Sequence, residues 1–182
     1  MECAQKGYSA LSVGQIAKRA KVSTASVYAL YEDRDALLVA AMDMLLTIMA
    51  GDVIEIPPIF DPQKRVEQLL IAHGEVYQQP LTIWLLRLYM TLVCKGQNHL
   101  RDMGLRVFQG IDAFWHSFLS GLTVQGHLKD LDLNIIVPLM LGAVERCTVI
   151  SRLSCGDDET DRPQLNEVAR HASRILFELG GT

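Results

Sequence analysis

The chain has 182 residues, 49% of them hydrophobic and 21% charged, which suits one or two small domains with a buried core and excludes a disordered chain. No apolar run free of charge reaches the ~18 residues of a membrane span, and the longest candidate, Leu81 to Cys94, carries Arg87 inside it. The four cysteines show neither Cys-x-x-Cys nor histidines at zinc-finger spacing, which favours reduced thiols in a cytoplasmic protein over disulfides or a metal site. The net charge of −4 is unevenly spread: residues 1–31 carry +3 and residues 32–182 carry −7, so a positive head on an acidic body can steer DNA to one end.

In chain order, Met1 to Lys6 read as the last turns of a helix that Gly7 closes. Ser12 then caps a helix, with Gln15 completing a capping box, and Val13, Ile16, Ala17 and Ala20 share one apolar face. Lys21-Val22-Ser23 is short enough for the turn between two crossed helices. Ser23 or Thr24 caps the second helix. Val27, Leu30 and Tyr31 point inward, which leaves Thr24, Ala25, Ser26, Tyr28 and Ala29 outward on a small, polar face that fits a major groove. Asp33 caps a long helix to Ala50, and Gly51 ends it.

Ile16-Ala17-Lys18-Arg19-Ala20, Val22-Ser23, Val27-Tyr28, Tyr31 and Asp33-Arg34-Asp35-Ala36-Leu37-Leu38 together resemble the DNA-binding domain of the tetracycline-repressor (TetR) family of one-component transcriptional regulators. Lys21 stands where that family usually has glycine, so the turn must accept a non-glycine residue, with a left-handed conformation as one solution. Tyr31 and Arg34 replace the usual Phe and Lys and keep the physics. The family's first helix is longer than the six residues before Gly7, so that helix reads as truncated or naturally short. The resemblance implies an all-α fold, with a helix-turn-helix domain at 1–50, including the connecting helix 34–50, and a helical ligand-binding and dimerisation bundle at 61–182.

Beyond the head, Asp52 to Phe60 is a linker marked by Pro57-Pro58. Asp61 and Pro62 start a helix to Gln79, with Val66, Leu69, Leu70, His73, Val76 and Tyr77 on one face, and Pro80 stops it. Leu81 to Lys95 is apolar on every side, so it is expected to be the central helix of the second domain, closed by Gly96. Asn98 to Gln125 is helical with a break expected at Gly104, and its stripe is Phe108, Ile111, Trp115, Phe118, Leu119 and Leu122. Asp132 caps a helix to about Leu153 that contains Pro138. Cys155 to Asp161 is an acidic loop, and Pro163 to Leu179 is the last helix, stopped by Gly180-Gly181. Ile135, Ile136, Val137, Leu139, Met140, Leu141, Ala143, Val144, Val149 and Ile150 ring the penultimate helix on more than one side. Burial within the monomer is one reading. The other is a homodimer in which paired helices form a four-helix bundle, as the resemblance also implies.

The candidate DNA-binding residues are Ser12, Lys18, Arg19, Lys21, Ser23, Thr24, Ala25, Ser26, Tyr28 and Arg34. Tyr28 matches a family tyrosine that contacts phosphate. Ser12 and Arg34 lie at helix N-termini that approach the DNA backbone, while Lys18 and Arg19 are either phosphate ligands or a solvated face. No Arg, Asn or Gln lies between Ser23 and Tyr31, so the usual bidentate base readers are missing from this helix. For the body, the candidate ligand-binding residues are His73, Tyr77, Trp84, Arg87, Phe108, Trp115, His116 and Glu145. Inward polar groups on an apolar wall suit a small-molecule site, and a satisfied core histidine with an internal Arg–Glu pair explains them equally. There is no Gly-rich phosphate loop, Gly-x-Ser-x-Gly or His-Glu-x-x-His, and no catalytic residue, metal or cofactor is expected. The expected partners are a double-stranded operator, a small-molecule effector and a second copy of the chain, with no membrane. A helical ligand- or protein-binding module that has lost DNA binding is the alternative.

Overall fold

The computed structural model describes residues 12–51, 58–150 and 164–180. The expectations for Met1–Gly7, most of the 52–60 linker, the 155–161 loop, Pro163 and Gly181 lie outside the described residues. Among the described residues every regular element is helical: α1 Val13–Ala20, α2 Thr24–Tyr28, α3 Arg34–Gly51, α4 Pro62–Gln78, α5 Pro80–Cys94, α6 Asn98–Val124, α7 Leu133–Glu145, a π-helical turn Arg146–Ile150, and α8 Leu165–Gly180.

Side-chain caps set most of the helix starts. Asp33 Oδ1 accepts from the Ala36 amide at 2.8 Å, Asp61 Oδ1 from Lys64 at 3.1 Å, and Asp132 Oδ1 from Asn134 at 3.0 Å. Each bond satisfies an amide that the helix itself leaves without a partner. Pro62 fills the first turn of α4, where its missing N–H costs nothing. Pro80, expected only to stop α4, also begins α5 for the same reason. Gly51 and Gly180 are the last residues of α3 and α8 rather than stops beyond them.

The chain divides into two compact units, Met1–Gly51 with Trp84–Val107, and Asp52–Ile83 with Phe108–Thr182. Most of α5, expected at the centre of the second domain, thus belongs with the head. In the first unit Val13, Ala17 and Val27 form a small core, with Tyr31 and Leu37 against it. Leu38, Met42, Leu88, Leu92 and Leu100 are buried as well. Gly104 does not break α6, which runs unbroken from Asn98 to Val124. It lies under the phenol of Tyr89, and a Cβ there would collide with that ring and hydroxyl. The turn between α5 and α6 uses Gly96 at φ 88°, a conformation that glycine adopts without steric cost. Lys95 Nζ meets Asp35 Oδ2 at 2.8 Å, and His99 Nε2 lies 3.5 Å from Asp43 Oδ1. These pairs flank an open cleft of about 410 Å³ lined by Asp33, Asp35, Val39, Asp43 and His99.

In the second unit α4, α7 and α8 pack around Trp115, Leu119 and Leu122 of α6. Val66, Leu69 and Leu70 supply the α4 side, Val137, Leu141 and Val144 the α7 side, and Leu165, Ala169 and Leu176 the α8 side. Burying one such side chain contributes roughly 1.5–3 kcal/mol. Gly74 lets α4 approach closely, since a Cβ there would strike Leu165 and press on Val144. Val76, expected on the inner face, is exposed.

The helix from Asp132 was expected to continue to about Leu153. It is α-helical only to Glu145 and then passes into the π turn. Val144 O takes two side-chain bonds there, from Thr148 Oγ1 at 2.8 Å and Cys147 Sγ at 3.1 Å. Leu133–Ile150 is long and apolar enough to cross a membrane by length and composition alone, a run not anticipated because Glu145 and Arg146 fall inside it. Val137, Met140, Leu141 and Val144 are buried in the protein core, while Ile135, Leu139 and Ile150 are exposed. On α8, Ile175 and Leu179 are exposed as well.

Candidate nucleic-acid interface and ligand-binding residues

The helix-turn-helix is assembled by short-range bonds. Ser12 Oγ accepts from the Gln15 amide at 3.2 Å and starts α1. Lys21 closes α1 with φ 57° and ψ 36°, the left-handed conformation, and is the one non-glycine residue with positive φ among the described residues. Its amide bonds back to Lys18 O at 3.3 Å, and the Val22 amide bonds to Ala17 O at 3.0 Å. A turn that glycine usually makes is therefore made here by lysine in the geometry glycine would use.

Ser23, rather than Thr24, is the cap of α2: its Oγ accepts from the Ser26 amide at 3.0 Å. The Ser23 and Ser26 hydroxyls are also hydrogen-bonded to each other at 2.8 Å. This tie engages Ser26 within the protein, so Thr24 and Tyr28 are the outward polar groups best placed for an external partner. The Thr24 methyl packs toward α1, 4.0 Å from where a Cβ on Gly14 would stand. Val27 anchors the inner face of this five-residue helix. Leu30, expected to point inward, is 78% exposed. It lies beyond the last residue of α2, where helical spacing no longer governs its direction.

Ser12, Lys18, Arg19, Lys21, Ser23, Thr24, Ala25, Ser26 and Tyr28 are all exposed and belong to one short stretch of the first unit. Lys18 and Arg19 occupy the last turn of α1, where cations interact favourably with the helix dipole. Arg34 differs. It is half-buried, and its Nε lies 3.6 Å from Asp35 Oδ1, so any phosphate must compete with a neighbouring carboxylate.

The candidate ligand-binding residues do not share one unit. Trp84 and Arg87 fall in the first, whereas His73, Tyr77, Phe108, Trp115, His116 and Glu145 fall in the second. Arg87, expected to point inward, is exposed, as is Phe108. His116 is half-buried, and Trp115 is wholly buried in the second core, edge-on to Phe114 and Phe118.

His73, Tyr77 and Glu145 do come together. The His73 and Tyr77 rings meet edge to face, with centroids 5.2 Å apart. His73 Nε2 lies 3.9 Å from Glu145 Oε1. Burial, and then the nearby Glu145 charge, push the Tyr77 phenol up to about 12. His73 Nε2 and Trp115 Nε1 are buried without a hydrogen-bond partner among the described residues, and such orphaned groups are uncommon in folded proteins. The histidine on an apolar face was legible in the sequence. The absence of a satisfied partner was not.

Residues 1–41 match the family model described as bacterial regulatory proteins, tetR family. No curated protein matches the chain. Among solved structures, a TetR transcriptional regulator from Agrobacterium tumefaciens superposes with a TM-score of 0.72 at 21% identity, covering 98% of this chain and 88% of that one. A TetR-family regulator from Mesorhizobium loti gives 0.71 at 17% identity, covering 98% and 91%. FadR from Bacillus subtilis, solved in complex with stearoyl-CoA, gives 0.60 at 18% identity, covering 97% and 92%. The N-terminal domain is thus that of the bacterial regulatory proteins of the tetR family, and the chain as a whole has the fold of TetR-family transcriptional regulators.

Proposed function

We propose that the chain is a one-component transcriptional regulator, acting as a repressor in the cytoplasm. As a dimer it would bind a pseudo-palindromic operator through α2 and be released by an apolar or amphipathic small molecule. The observation that carries this reading is the exposed, small and polar face of α2. The Ser23 cap and the left-handed Lys21 hold it in a head whose first 31 residues carry +3. Such a face enters a major groove without steric conflict, and the cations supply contacts to phosphate. Two features support the dimer: the exposed apolar residues Ile135, Leu139 and Ile150 on α7 and its π turn, and Ile175 and Leu179 on α8. A monomer gains nothing from leaving such residues in water, and a twin subunit would cover them. The ligand reading rests on the orphaned His73 and on the likeness to a fold that holds stearoyl-CoA in FadR. A coupling of about 1–3 kcal/mol between ligand and operator would release a marginally bound repressor.

The test is a mobility-shift titration on DNA from the protein's own upstream region, with random duplex as competitor at fixed salt. Retarded complexes that survive a large excess of random DNA support the regulator. Equal competition by random DNA, or no complex at low salt, favours a module that uses the fold without binding an operator.

A further inference from the structure

We infer that His73 and Glu145 form a subsite for an uncharged hydroxyl group on a ligand whose remainder is apolar. The proposal deepens the ligand-binding reading above and rests on it. His73 is 3% exposed and its Nε2 has no hydrogen-bond partner among the described residues. Glu145 Oε1 stands 3.9 Å away, beyond hydrogen-bond reach. The two atoms are too far apart to bond directly and close enough to share one oxygen, which enters as the partly exposed Glu145 side chain swings aside, since Nε2 itself is closed to solvent. An oxygen about 2.8 Å from each would be held at close to a right angle, within the range that hydroxyl groups accept.

The chemistry selects the group. The carboxylate only accepts, and the imidazole in its Nε2-protonated form donates. A hydroxyl accepts from His73 and donates its proton to Glu145, satisfying both without bringing a charge. A ligand carboxylate would face the negative charge of Glu145. An ammonium would pair with Glu145 but only donates, so it would leave the His73 N–H without an acceptor. Tyr77, edge-on to His73, closes one side with an aromatic wall. Glu145 itself remains 38% exposed, which leaves the subsite open on the carboxylate side. The backbone departs from α-helix directly after Glu145, and π turns of this kind are frequent at functional sites.

The experiment titrates the full-length protein with octan-1-ol, its methyl ether, octanoate and octylammonium, following tryptophan fluorescence. The alcohol is expected to bind about tenfold or more tighter than the ether, because only the alcohol donates to the carboxylate. In Glu145→Met, shown to be folded by circular dichroism, the alcohol and the ether should bind alike, whereas a folded His73→Phe, which keeps the carboxylate, should weaken both and retain the preference for the alcohol. Should His73→Phe fail to fold, Glu145→Met, at a partly exposed position, carries the comparison. Equal binding of alcohol and ether by the unaltered protein overturns the hydroxyl subsite and leaves a ligand-binding body standing. Tighter binding of octanoate or octylammonium, or a preference for the alcohol retained in Glu145→Met, does the same. Failure of all four probes to bind overturns the subsite and the apolar-ligand reading together.

Discussion

Lys21→Gly separates a backbone cost from a charge at one position. Lys21 holds φ 57° and ψ 36°, and an L-residue in this region gives up roughly 1–2 kcal/mol relative to right-handed backbone. Glycine removes that cost but adds about 0.4–1 kcal/mol of unfolded-state entropy. The balance is a gain of about 0.5–1 kcal/mol for the first unit, or about 2 °C in Tm for a chain of this size. Urea melts should show a higher midpoint at unchanged slope, and amides of α1 and α2 should exchange more slowly with solvent. The same variant loses one cation. If Lys21 neutralises a phosphate, the log–log salt dependence of DNA binding should flatten by about one counterion. Lys21→Ala is the control, since it loses the charge, keeps the left-handed strain and should gain no stability. A Lys21→Gly protein no more stable than Lys21→Ala would refute the assignment of strain to this turn.

Three further outcomes are expected. Gly104→Ala drives a methyl into Tyr89 and should destabilise by about 1–3 kcal/mol, with partial rescue by Tyr89→Phe, as thermal melts of the single and double variants would show. Ala143→Glu places charge on an exposed position of α7 and should shift sedimentation from dimer to monomer, while a folded variant that stays dimeric removes α7 from the interface. Tyr77 ionises near 12 when folded against 10.0 as a free phenol. Its folded state holds the proton more tightly, so the associated stability is complete below pH 10 and is lost as pH rises toward 12, on the order of 2 kcal/mol. Tyrosinate absorbance in folded protein should show one late-ionising group that disappears in Tyr77→Phe.

What could be read in advance follows from the range of the forces involved. The caps at Ser12, Ser23, Asp61 and Asp132 are bonds to amides two or three residues away, so a short window of sequence contains both partners. The left-handed Lys21 was legible only through the resemblance, because the family usually has glycine at that turn. Gly104 misled because its role is to make room for Tyr89, fifteen residues earlier in the sequence, rather than to end a helix. The π turn after Glu145 was not read in advance; besides its local bonds to Val144 O, it packs against α4 and α8, partners that lie outside any short window of sequence. In the candidate ligand site, helical spacing placed His73 and Tyr77 on the buried face of α4. It also turned Arg87 inward, because a helix apolar on every side offers no polar face from which to read a direction. Only the fold shows that Arg87 is exposed.

The first compact unit draws on two separated stretches, Met1–Gly51 and Trp84–Val107, with α4 lying between them in the chain. A ribosome delivers the chain from its N-terminus, and domains form as their parts emerge. The helix-turn-helix therefore leaves the ribosome well before the stretch with which it forms that unit, and all of α4 must pass first. A nascent chain halted near residue 80 would display α1 and α2 without Leu88, Leu92 and Leu100, which are buried in the finished protein. Competence to bind DNA would then arrive late in synthesis, and a fragment cut at Gly51 would leave the head without about a third of its own unit.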